Sequence, residues 1–106
     1  MGKSQRDKGA RCEREIAKLL GAERVPLSGA CGGRYGGDLQ HGYLGRGEVK
    51  VRGNGFRQLY TWLEGNDFLC VKASRKPWLV VLRANDVKKL IDEMDEIKTK
   101  INREVK

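Results

Sequence analysis

Asp38, followed after nine residues by Glu48-Val49-Lys50, is the stretch whose residue types and spacing are suited to chemistry. If the span is two adjacent strands, one carboxylate lies at the end of the first and the other in the middle of the second. Alternation along the second strand sends Glu48 and Lys50 to one face, and Val49 and Val51 to the other. Two carboxylates and an amine then meet in one place. That set suits a hard divalent cation, which wants oxygen ligands, and a phosphodiester, which wants a positive group near the attacking water. The plain alternative is a half-buried strand with its polar face in water, because an acid followed by E-x-K also arises by chance in charged chains.

A third acid sits on the first element that must position this pair. Residues 9–20 have a helical pattern, with Ile16, Ala17, Leu19 and Leu20 as the apolar stripe and Arg11, Arg14, Glu15 and Lys18 mostly outside it. Glu13 precedes Ile16, Ala17 and Leu20 by three, four and seven residues, so it projects from the inward side. An inward carboxylate is costly unless it is paired or bound to a metal. Two readings are open: a metal ligand, or a residue at the margin of the stripe salt-bridged to a neighbouring arginine. Glu15 points to solvent, and residues 1–8 read as a polar, flexible N-terminus.

Asp38, Glu48 and Lys50 resemble the bipartite motif of the PD-(D/E)XK nucleases, departing from it at Gly37, where the pattern has proline. Lys8-Gly9-Ala10-Arg11-Cys12-Glu13-Arg14-Glu15-Ile16, then Gly37-Asp38, then Glu48-Val49-Lys50-Val51, is similar to the archaeal-type Holliday junction resolvases and their phage and prophage relatives. The resemblance covers roughly residues 8–52. It implies Glu13 as the first acid of the site. It implies Asp38 and Glu48, with the backbone carbonyl of Val49, as ligands of Mg²⁺, with Mn²⁺ as a substitute. Lys50 would orient or help deprotonate the attacking water, and Ser28 matches a serine that contributes to activity, at a longer distance from Asp38 than in the family. Paired symmetric nicks on a four-way DNA junction, leaving 5′-phosphate ends, require two active sites in fixed relation and so imply a homodimer. The roles that follow from such an enzyme are DNA recombination and repair. Two rival readings are a nuclease of the same kind acting on other branched or duplex DNA, and a non-catalytic basic nucleic-acid-binding domain.

The remaining elements read as follows. Glu23 to Leu27 is a short strand. Residues 28–37 hold five glycines in ten and form a mobile loop, or simply a hairpin connection, in which backbone amides can approach a phosphate and Arg34 and Tyr35 can hold a phosphate and stack on an unpaired base. Arg46 to Arg52 is the central strand, with Arg46, Glu48, Lys50 and Arg52 on one face. Phe56, Leu59, Tyr60 and Leu63 give a short core-facing helix over 56–64, with Arg57 outside. Phe68 to Ala73 and Trp78 to Arg83 are strands, the second so continuously apolar that burial on both faces is expected. Asn85 caps a last helix, Asp86 to about Glu104, whose Val87, Leu90, Met94, Ile97 and Ile101 form a narrow seam for its own sheet or for a second copy. DNA contacts are expected from Arg11, Arg14, Arg34, Tyr35, Arg46, Arg52 and Arg57. The element order predicts an α/β protein, and the resemblance implies a restriction-endonuclease-like mixed five-stranded sheet flanked by helices in a single domain.

Composition agrees with a polyanionic partner. The 106 residues carry 22 Lys and Arg against 14 Asp and Glu, a formal charge of +8. Residues 1–63 hold 12 basic and 6 acidic residues and residues 64–106 hold 10 and 8, so the half with the motif holds most of the surplus, +6 against +2. Three scattered cysteines, Cys12, Cys31 and Cys70, make neither a disulfide framework nor a zinc ribbon, and His41 as the single histidine argues against histidine-metal chemistry. No apolar run is long enough for a leader or a membrane helix, and no motif for a nucleotide cofactor stands out. These features point to the cytoplasm.

Overall fold

A computed structural model describes residues 2–25 and 38–105, which divide into two compact units, Met1–Val51 and Arg52–Lys106. The elements are α1 (Gly2–Leu20), β1 (Glu23–Arg24), β2 (Leu39–His41), β3 (Gly45–Gly47), α2 (Arg57–Leu63), β4 (Phe68–Val71), β5 (Leu79–Leu82) and α3 (Ala84–Val105). Their succession is the expected one, but the sheet is not. In place of a mixed five-stranded restriction-endonuclease-like sheet, β1-β2-β3 form a three-stranded antiparallel sheet and β4-β5 a separate two-stranded antiparallel ribbon.

The expected central strand is where the larger sheet fails. Of Arg46 to Arg52 only Arg46 and Gly47 lie in the ladder. The amide of Val49 donates to the Asp38 carboxylate at 2.7 Å, so a side chain takes the hydrogen bond with which a longer β3 would continue. Beyond it Val51 is 48% exposed, not inward-facing, and the chain bends at Gly53 and Asn54.

In the first unit α1 begins at Gly2, so the polar residues before Gly9 are helical and not a loose tail. Their Lys, Gln and Arg are good helix formers, which outweighs the absence of an apolar stripe there. The helix ends where Gly21 adopts φ 75° and Ala22 N–H donates to the Ala17 carbonyl at 2.9 Å, the glycine-terminated C-cap. Ala17, Leu39 and His41 are buried, and the alternation of β2 turns Gln40 outward.

In the second unit Arg83, just after β5, donates to the carbonyls of Asn66 at 2.7 Å and Leu63 at 2.9 Å, satisfying the C-terminal end of α2. Leu63 is buried as expected, whereas Tyr60 of the same stripe is 73% exposed. The apolar run of β5 is not buried on both faces: Leu79 and Val80 are 63% and 61% exposed, because a two-stranded ribbon offers no inner strand. Asn85 lies inside α3 and does not cap it. The first turn is closed by the amides of Asp86 and Val87 on the Arg83 carbonyl.

Candidate functional site

The β2-β3 hairpin brings the first two predicted acids together. Leu39 pairs with Gly47, Gln40 with Arg46 and His41 with Gly45. Asp38 and Glu48 lie one residue beyond the last pair of this ladder, where a continued register would set them opposite each other with Cβ atoms about 5 Å apart. Pleating puts residues 38, 40, 46 and 48 on the face away from buried Leu39 and His41, and Gln40, Arg46 and Glu48 are all exposed. The 2.7 Å bond from Val49 N–H to Asp38 Oδ2 then ties the half-buried Asp38 side chain to the middle residue of Glu48-Val49-Lys50.

Lys50 Nζ lies 3.4 Å from Glu48 Oε1, with side chains 55% and 61% exposed. An ion pair that open to water contributes little stability and exchanges partners readily. The arrangement therefore offers one carboxylate held by the backbone, a second opposite it, and an ammonium group beside the second. Arg46, in the middle of β3, extends the positive charge along the same face.

Glu13 is placed differently. Its Oε1 accepts from Arg24 Nη2 at 3.2 Å and Nε at 3.4 Å, and its side chain is 27% exposed. Arg24 pairs across the ladder with Leu39, so this contact belongs to the α1 side of the sheet, whereas the register sends Asp38 and Glu48 to the open side. The salt-bridged reading of Glu13 is the one the geometry shows. Among the described residues no three His, Cys, Asp or Glu side chains form a group able to hold a metal ion.

Arg11 and Arg14 are exposed on α1, as is Glu15. Arg52 and Arg57 belong to the second unit, and Arg52 stands outside any strand. Ser28, Arg34, Tyr35 and Cys31, with the whole glycine-rich loop 28–37, lie outside the described residues. Cys12 and Cys70 are free thiols. An apolar groove in the second unit, between α2 and β5, has Glu64 and Arg83 as its charged lining, and Arg83 is already committed to the end of α2.

His41 does something that sequence reasoning missed. Its Nδ1 accepts from the amides of Tyr43 at 3.0 Å and Leu44 at 3.2 Å, which assigns the ring proton to Nε2, and Nε2 lies 2.9 Å from the carbonyl of Leu20. One buried ring thus closes the β2-β3 turn and satisfies the end of α1. No local pattern announces it, since its acceptor is 21 residues away.

Compared with known proteins, the chain matches no family model, no curated protein and no solved structure. Among the described residues no helix is long and apolar enough to cross a membrane.

Proposed function

We propose that the chain is a metal-dependent, structure-selective DNA endonuclease of the Holliday-junction-resolving kind, acting as a cytoplasmic homodimer on four-way junctions. The observation that carries this reading is the Asp38–Val49 hydrogen bond, which joins the isolated acid to the E-x-K segment with the second acid opposite. The motif resemblance and the +8 charge support it.

Asp38 and Glu48, with the Val49 carbonyl, are the oxygen donors that fit Mg²⁺ or Mn²⁺. A cation bound there supplies an acidified water and charge neutralisation at the phosphodiester. Lys50, freed from Glu48, stabilises negative charge on the phosphate and orients the attacking water. Arg46 holds a flanking phosphate. Glu13, paired with Arg24 on the α1 side of the sheet, lies outside this set.

The salt bridges Glu13–Arg24 and Glu48–Lys50 favour a second reading, in which these acids balance charge on a non-catalytic nucleic-acid-binding domain. The decisive experiment incubates the chain with labelled four-way junction and with linear duplex, in Mg²⁺, Mn²⁺ or EDTA, beside Asp38→Asn. Asparagine still accepts the Val49 amide, so the fold persists while one anionic ligand is lost. The expected result is paired nicking of the junction that disappears with EDTA and drops roughly 100-fold or more in the variant. Equal cutting of both DNAs removes the junction specialisation. Binding without cutting under either metal leaves the second reading.

A further inference from the structure

Along α3, Leu90, Met94, Ile97 and Ile101 recur every three or four residues, and their exposures are 53%, 50%, 55% and 53%. The buried residue of this helix is Ile91, one step round from Leu90. The helix is thus anchored at Ile91 in its first half, while a coiled-coil-like seam faces water. An exposed apolar stripe this regular marks an association surface.

The charges say what fits it. Asp92, Glu93, Asp95 and Glu96 occupy the middle of α3, and Lys98, Lys100 and Arg103 follow them. A second α3 running antiparallel brings flanking charges of opposite sign, Glu93 and Lys100, across from each other. Heptad arithmetic fixes the register: Met94 opposite Ile97 of the second copy, Leu90 opposite its Ile101, and Glu93 across from its Lys100 at both ends of the twofold axis. A parallel pair instead sets Glu104 against itself in the seam and, although Glu93 then faces Lys98, leaves Lys100 against Val105.

We propose that α3 is a self-association surface, occupied by α3 of a second copy in antiparallel register. The inference uses neither the metal nor the DNA of the preceding reading, although it supplies the two sites that paired nicking requires.

The test is sedimentation equilibrium of the full chain at low salt, without DNA or metal, for wild type, Glu93→Lys, Lys100→Glu and the double variant, with circular dichroism to confirm helix content. Each single swap, repeated twice by symmetry, is expected to weaken the dimer about tenfold or more. The double swap restores it. A monomer at about 100 µM overturns the proposal. So do single swaps without effect, or a double variant that fails to recover, since in a parallel pair Lys100 faces Val105 and no rescue follows. A monomer that still nicks DNA overturns the surface and leaves the nuclease, while a dimer that cuts nothing does the reverse.

Discussion

Asp38 and His41 stand three residues apart and use their side chains for opposite ends. Asp38 leaves the ladder to hold Val49, which places a carboxylate where the strand would have ended. His41 turns inward and spends both ring nitrogens on backbone groups. Replacing His41 with Leu keeps the volume but strands the Leu20 carbonyl and two amides in a partly buried place. The expected loss is about 2 kcal/mol of stability, read as a lower urea midpoint with unchanged slope. A variant as stable as wild type means that water replaces the ring at those groups. The chemical types at the candidate site were legible in the sequence, since Asp38, Glu48 and Lys50 follow from spacing. The partners were not, because Arg24 for Glu13 and Leu20 for His41 depend on which element lies beside which.

At the scale of elements, the β2-β3 hairpin is the scaffold of the site. Three residues, Gly42 to Leu44, connect the strands, and Gly45 adopts φ 83° to close the loop. A Cβ built on Gly45 meets nothing within 4 Å, so Gly45→Ala adds backbone strain without a clash. It is expected to cost about 1 kcal/mol, seen as a lower thermal midpoint. Because the hairpin sets Asp38 opposite Glu48, nicking is expected to fall with it. If activity stays at the wild-type level while stability drops, the hairpin does not position the acids. Periodicity revealed α1, α2, β4, β5 and α3 because apolar spacing is local. It overstated β3, since a strand's length depends on the neighbour available to pair with it, and β2 has only three residues.

For the whole molecule, the +8 charge makes polyanion binding a matter of counterion release. DNA affinity is expected to fall with salt on a log–log slope of roughly −4, the value for four or five neutralised phosphates. Arg46→Ala is expected to make the slope shallower by about 1 and to weaken junction and duplex alike. A binding curve indifferent to salt removes the electrostatic role assigned to the surplus. Titration across salt concentrations by fluorescence anisotropy measures both quantities. The proposed pairing of α3 would act on the same scale by doubling the charge and the number of sites.

The sequence by itself determined what depends on near neighbours: helix faces, the glycine that ends α1, the acid and E-x-K spacing, and the balance of charge. Only the tertiary structure decided how the strands divide, that Glu13 meets Arg24 and not the other acids, and that the seam of α3 is left to water. These are decided by pairing and burial between residues far apart in the chain, and no local pattern encodes which distant surface will be there to meet them.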